Sequence, residues 1–258
     1  MKVCLNADMG ESFGRYSIGA DAELMPLVTA ANIACGMHAG DPSVMTTTIG
    51  LALQHGTGIG AHPGFNDIWG FGRRQIAMEP RDIEYLVTYQ IGALRALAES
   101  QGARIVHVKP HGALNNIAHS DADVAGAVAR GVRAADRDLV LFANCLSEMT
   151  RTGEAAGLRV AHEAYVDRLY DESGKMLSRR LPNAVIREAD VAAEHVLRMV
   201  TEQAITTVGG TKLPTPIDTL CIHGDEPTAV SLAVASREAL TAAGVEIVPV
   251  LDRLAEAA

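Results

Sequence analysis

Residues 105–114 read IVHVKPHGAL. The run Ile105–His111 carries apolar residues on both faces and ends in charged groups, as a strand buried on two sides does where its end opens onto polar chemistry. Lys109 stands just before Pro110 inside that apolar run, and a buried ammonium needs a partner. The same form recurs along the chain. Val3–Asp8, about Ala30–Cys35, Gly58–His62, Leu139–Ala143, about Arg159–Val166 and Asp218–His223 bring the strands to seven, with helical stretches between them. A later run, Val245–Leu251, reads as an eighth strand or a cover strand.

The helix signals are local and clear. Asp41-Pro42 is an N-cap followed by proline at the first helical position, opening a helix to about His55-Gly56. Arg81–Gln101 sets Ile83, Leu86, Val87, Leu94 and Leu97 at three- and four-residue spacings and stops at Gly102. Ser120 with Asp123 resembles a capping box, and Pro227–Ala243 is a further helix ending before Gly244. Seven βα units with no compositional break or internal repeat predict one α/β domain over residues 1–258, built on a parallel sheet. Neither GxGxxG nor GxxxxGKS/T follows any strand, which favours a closed barrel over an open, doubly wound nucleotide-binding sheet.

Composition agrees with one large core: of 258 residues, 48% are hydrophobic and 21% charged, which excludes a disordered chain and a coiled coil. No stretch approaches the about 18 uninterrupted apolar residues of a membrane-spanning helix. The 22 basic against 31 acidic residues give a net charge of −9, the wrong sign for a binder of nucleic-acid phosphates. Cys4, Cys35, Cys145 and Cys221 are far apart, so neither a zinc ribbon nor a CxxC redox motif is present. Reduced thiols and a start that reads directly as a strand, without a secretory leader, lead us to expect a cytoplasmic protein.

The strand ends carry the polar chemistry. Strand one runs into Asn6, Asp8 and Glu11, strand two into His38 and Asp41, strand three into His62, and strand four into Lys109 and His111. Strand six leads to Glu163, Asp167 and Arg168, and strand seven to His223 and Asp225. In a parallel barrel all these ends share one face, where barrel enzymes keep their active sites. A single histidine at a strand end is more often a hydrogen-bonded structural group than a catalyst, but the joint placement of four of nine weakens that reading. His55, His107, His119, His162 and His195 lack such placement and are read as structural. Asp41 is read mainly as a cap.

Seven of the ten aromatic residues (Phe13, Tyr16, Phe65, Trp69, Phe71, Tyr165 and Tyr170) follow strands one, three and six, which predicts loops packed over a ligand. The segment from Pro63 to Arg74, with Gly64, Gly70 and Gly72 between aromatics, has the makings of a lid. Arg73 and Arg74 have the fork geometry that grips a carboxylate or phosphate, although Arg74 is as well read as a surface salt bridge. These residue types point to hydrolysis of an amide or another polar carbonyl reaction. Asp8 or Glu11 would activate water while Lys109, His62 or His111 stabilises an oxyanion. The same Asp/His mixture (Asp8, His38, His62) is also able to hold a divalent metal, although no compact metal motif such as HExxH is present. Cys35 near His38 is a modest hint of a reactive thiol.

LNADMGE, ANIACGMHAGD, IGAHPGF followed by FGRR, HVKPHGAL and CIHGDEP, in this order between residue 2 and about residue 250, together resemble the LamB/YcsF family of 5-oxoprolinase A subunits. The resemblance implies a distorted seven-stranded (βα) TIM-like barrel of the glycoside hydrolase/deacetylase kind. It implies opening of 5-oxo-L-proline to L-glutamate with ATP, together with partner subunits B and C, which would supply ATP-dependent activation. It implies catalytic roles for Asp8, Glu11, His62, Lys109 and His111. Substrate contacts would come from Asn6, His38, Arg73, Glu163, Asp167, Arg168, Arg179, His223 and Asp225. The chain departs from the family pattern at Gly64 and Asn66 (HPGFND for HPSFPD), at Asn115 in place of a tyrosine, and at MLSRR in place of a V-P-R-S type run. Two other classes stay open on the residues alone: a stand-alone metal-dependent deacetylase, and a non-catalytic component that presents a small molecule to a partner.

Overall fold

The computed structural model describes residues 1–255. Seven parallel strands form its centre: β1 (Lys2–Met9), β2 (Ala30–Ala34), β3 (Gly58–His62), β4 (Ile105–Val108), β5 (Val140–Asn144), β6 (Arg159–Tyr165) and, after a short hairpin of β7 (Ala204–Thr206) and β8 (Lys212–Pro214), β9 (Thr219–Ile222). They pair in the order β1-β2-β3-β4-β5-β6-β9, and β9 pairs back onto β1, so the barrel is closed. Closure is made by Cys4, Leu5, Asn6 and Ala7 lying opposite Thr219, Leu220, Cys221 and Ile222.

The late run expected as an eighth or a cover strand is the short β10 (Glu246–Ile247). It pairs with Lys2 and Val3 below the stretch of β1 that β2 takes up, so it covers the lower rim and is not an eighth stave. The expected single domain over 1–258 runs three residues past the described chain. Strand four is shorter than its apolar run: Pro110 has no amide to give the ladder. The backbone nevertheless stays beside β3 through Lys109 N to Ala61 O (2.9 Å) and His111 N to Pro63 O (2.8 Å).

Alternation divides every strand between two environments. On β1, Val3, Leu5, Ala7 and Met9 pack outward into the main core, which includes Ile83, Val87, Ile91 and Leu94 of helix Pro80–Ser100. The other face of the strands lines the interior. Its lower layer is apolar, with Cys4, Ala30, Val140, Phe142 and Ala161 closed from below by Val250. Above that layer the interior turns polar, with Asn6, Asn32, His107 and Glu163 and then Asp8, His62 and Lys109, all buried. The β3–β4 register shifts between Ile59 and Gly60. Gly60 is required there, because a Cβ would stand 2.1 Å from the His107 Nε2 atom.

Helix Pro42–His55 begins as expected: the Asp41 side chain accepts from Ser43 N and Val44 N, and Gly56 ends the helix in the left-handed conformation. The Ser120–Asp123 capping box does not form. Asp121, one residue later, caps helix Ala122–Ala135 instead, its carboxylate accepting from Asp123 N and Val124 N. The hairpin of β7 and β8 was not legible, being made of two three-residue strands too short for a periodic signal. Among the described residues no helix is long and apolar enough to cross a membrane, and Cys4, Cys35, Cys145 and Cys221 are free and buried.

Candidate active site

A cavity of about 490 Å³ opens at the carboxyl ends of the strands, within the size range of small-molecule sites. Asp8, Glu11, His62, Arg73, Lys109, His111, Arg168, Arg179, His223 and Asp225 all line it. Residues from β1, β3, β4, β6 and β9 and the loops that follow therefore converge, as the shared face of a parallel barrel requires.

The floor is an ion pair set in a hydrogen-bonded net. Lys109 Nζ donates to Asp8 Oδ1 at 2.5 Å and to Cys221 Sγ at 2.8 Å, and lies 3.7 Å from Glu163 Oε1. Asn32 Nδ2 donates to Asp8 Oδ1 (2.9 Å) and Asn6 Oδ1 (2.7 Å), while Asn6 Nδ2 donates to Glu163 Oε1 (3.1 Å) and Thr219 Oγ1 (2.8 Å). His107 Nε2 reaches Asn32 Oδ1 at 2.8 Å, and its ring stacks on Phe142 at 4.3 Å. Tyr165 Oη lies 2.8 Å from Glu163 Oε2 and 2.7 Å from Asn144 Oδ1, with one proton to donate between them, and Asn115 Nδ2 donates to Tyr165 Oη at 3.2 Å.

Three histidines stand over Asp8 and Glu11. His62 Nδ1 lies 2.6 Å from Lys109 O, and His111 Nε2 lies 2.8 Å from Phe71 O. The ring of His38 stacks on His111 with centroids 3.7 Å apart and planes 3° from parallel. Glu11 Oε1 is 3.4 Å from both His38 Nε2 and His111 Nδ1. Glu11, His38, His62 and His111 each offer a ligand atom, all within 4.8 Å of one another, a set compatible with a divalent metal. Asp8, which the residue types placed with His38 and His62, falls in a second such group with Cys221 and His223.

Burial and neighbours split the two carboxylates. Burial by itself would raise Asp8, but His62 and Lys109 beside it hold it well below the usual carboxylate range. Glu11 is pushed well above that range by burial and by the charges of Asp8 and Asp225. Burial opposes the Lys109 charge, yet Asp8, Cys221 and Glu163 keep the ammonium protonated well above its ordinary value. His38 and His111 are held well below 6.5, by burial first and by neighbouring imidazoles second, so both are neutral rings. Cys35 is not a nucleophile: burial pushes its thiol up to about 12, and its Sγ donates to Ile33 O.

At the mouth, Arg73 donates to Asp225 Oδ2 at 2.5 Å, and Arg179 pairs with Glu226 at 2.9 Å and lies 3.7 Å from Asp225. His223 Nδ1 donates to Asp167 Oδ1 at 2.8 Å, against which Asp167 is held ionised in spite of its burial. Arg168 donates to Leu177 O, and its buried Nε has no partner. Asn6, His38, Glu163 and Asp167, expected at the substrate, lie behind the cavity wall and position residues that form it. Arg74 is not at the site, because Asp67 holds its Nε at 2.8 Å.

The aromatic-lid expectation is corrected in part. Phe65, Tyr165 and Tyr170 are buried, Tyr165 as the last residue of β6; Tyr16 and Trp69 are exposed. Phe71 contributes its carbonyl to His111 and its ring edge to His38. Sequence reasoning left out Asn32, Cys221 and Glu226 and read His107 as structural. The alternation Cys4, Asn6, Asp8 on β1 and Ile105, His107, Lys109 through β4 carried the signal that would have placed His107 beneath the site.

The model of the LamB/YcsF family matches residues 3–255. The chain belongs to the LamB/YcsF family. Its LamB/YcsF relatives include proteins named as the 5-oxoprolinase A component. The one from Gluconobacter oxydans (strain 621H) is 47% identical over 95% of this chain and 96% of that one. The one from Symbiobacterium thermophilum is 49% identical over 95% and 94%. The crystal structure of a lactam utilization protein from Thermus thermophilus superposes with a TM-score of 0.91 at 44% identity, covering 96% of this chain and 99% of that one. The catalytic domain of a peptidoglycan N-acetylglucosamine deacetylase from Eubacterium rectale shares the fold at 9% identity, with a TM-score of 0.50 over 96% of this chain and 87% of that one.

Proposed function

We propose that this chain hydrolyses the lactam of 5-oxo-L-proline to L-glutamate as the A component of an ATP-dependent 5-oxoprolinase, a single-domain cytoplasmic protein working with partner subunits B and C. The observation that carries the reading is that a chain 47% and 49% identical to two relatives named as the 5-oxoprolinase A component gathers Asp8, Glu11, His62, Arg73, Lys109, His111, His223 and Asp225 around one cavity. The buried, unpaired thiols fit a reducing compartment.

A five-membered lactam is a stable amide, and phosphorylation of its oxygen by ATP, which we assign to the partner subunits, makes the ring carbon electrophilic. The cavity then receives an activated ring that carries a carboxylate. Arg168, with an unpartnered Nε, and Arg179 grip that carboxylate. Lys109, kept charged by Asp8, stabilises negative charge on oxygen as water adds to the carbon. The ionised Asp8, with His62 or the neutral His111, takes the proton from the attacking water. Glu11, whose protonated form burial and the charge of Asp8 favour, gives a proton to the departing ring nitrogen; this leaves a γ-glutamyl phosphate, from which a second water releases inorganic phosphate and L-glutamate.

The experiment is glutamate release from 5-oxo-L-proline with ATP, with and without the partner subunits. Release only in the complete mixture upholds the proposal, and none from a demonstrably assembled complex rejects the substrate. Release by the lone chain without ATP would instead favour a stand-alone metal-dependent amidohydrolase, a reading that rests on the Glu11, His38, His62 and His111 cluster.

A further inference from the structure

The protons on the histidine cluster can be counted. Backbone carbonyl oxygens only accept, so the contacts to Lys109 O and Phe71 O put hydrogen on His62 Nδ1 and His111 Nε2. With no second proton on either ring, the two remaining nitrogens face one another, His62 Nε2 and His111 Nδ1 being 2.9 Å apart. Two lone pairs at that distance repel unless something positive lies at the contact. Glu11 Oε1 is buried without a hydrogen-bond partner, and so are both ring nitrogens of His38. One shared proton between His62 and His111 would relieve that contact and leave Glu11 and His38 as they are.

We propose that Glu11, His38, His62 and His111 bind one divalent first-row transition-metal ion of the zinc type, Glu11 giving up its proton and its acid role when the ion is bound. The four donors come from the ends of four consecutive staves, β1 to β4, and reach one point because those strands are neighbours in the sheet. Three imidazoles and one carboxylate suit zinc and its neighbours in the row, whereas magnesium and calcium take oxygen ligands. The outer nitrogens of His62 and His111 are each tied to a carbonyl, the arrangement that orients metal-binding imidazoles. Parallel rings stacked 3.7 Å apart cannot both hold one ion in their planes, so one ring turns on loading. His38, held by no hydrogen bond through either nitrogen, is the one free to turn.

The test reads metal, not turnover, so its outcome is separate from that of the lactam proposal. The full chain is stripped with a chelator and titrated with zinc and with cobalt(II). The expected result is one zinc per chain and a cobalt complex with visible d–d bands but no thiolate charge-transfer band. His38→Ala and His111→Ala should each weaken zinc by at least the about 10- to 100-fold that losing an outer partner costs. Cys221→Ser should bind as the wild type does. Substoichiometric zinc in the wild type overturns the proposal. A thiolate band, or loss of zinc in Cys221→Ser, overturns it in favour of the Asp8, Cys221 and His223 group. Wild-type affinity in both histidine variants overturns it as well. Should those variants fail to fold by circular dichroism, the wild-type stoichiometry and cobalt spectrum decide alone.

Discussion

Lys109 on the barrel floor donates to Asp8 across the interior at 2.5 Å, with 2% and 8% of their side chains exposed. Neither charge has water to fall back on, and each is the other's nearest counter-charge. Replacing Lys109 by methionine keeps the bulk and leaves Asp8 and Glu163 as buried acids without a cation. We expect a loss of about 3–5 kcal/mol in urea unfolding, the usual cost of breaking a buried pair. Adding Asp8→Asn should recover part of it; strictly additive costs would show that the two groups do not interact.

Stability should fall on mild acidification for a reason remote from the catalytic carboxylates. Burial holds His195 down to about 4 and His107 down to about 3, from 6.5 in the unfolded chain. The contribution of each is fully present above 6.5. As the pH drops, the unfolded chain takes up protons that the folded chain refuses, so stability declines through the window between the two values. In His195→Gln the decline between 6.5 and about 4 should be shallower by up to about 1.4 kcal/mol per pH unit. Equal slopes for the two proteins would refute the assignment.

Gly72 sits at φ +63, and a Cβ there would come within 2.7 Å of both His111 Cδ2 and His38 Cβ. Gly72→Ala should therefore cost about 1–3 kcal/mol in backbone strain and displace the stacked rings. Imidazole NMR signals of His38 and His111 should shift while those of His195 stay. Unmoved ring signals would mean that the loop yields instead of the histidines.

Asp225 joins Arg73 from the loop after β3 to Arg179 from the loop after β6. Arg73 is 42% exposed, so the pairs contribute little to global stability, but they hold the long segment over the mouth. Asp225→Asn should leave the unfolding midpoint within about 1 kcal/mol of wild type and speed tryptic cleavage at Arg179 and Arg180. An unchanged cleavage rate would show that the segment is held by other contacts.

The seven staves, the capped helix at Asp41 and the polar strand ends were legible because they rest on neighbours two to four residues apart. Lys109 announced itself by standing charged in an apolar run, and the quoted motifs were specific enough to carry the family. Less was legible where the signal was short or shifted by one residue, as with β7 and β8 and the cap at Asp121. The burial of Phe65 and Tyr170 was hidden because loop composition does not say which way a loop folds.

The sequence by itself determined the kind of fold, the face that carries the chemistry and the residue types on it. Only the tertiary structure decided which groups meet: Asn6 bonds to Thr219 across 213 positions of chain because the barrel closes. It also decided that Asp8 is pushed toward its ionised form and Glu11 toward its protonated one, and that Glu11 and His111, with His38 and His62, form the compact donor set. The physical reason is range. Local patterns report neighbours along one element, whereas charge states and lone-pair contacts depend on distances between elements, which closure and the register of the staves set.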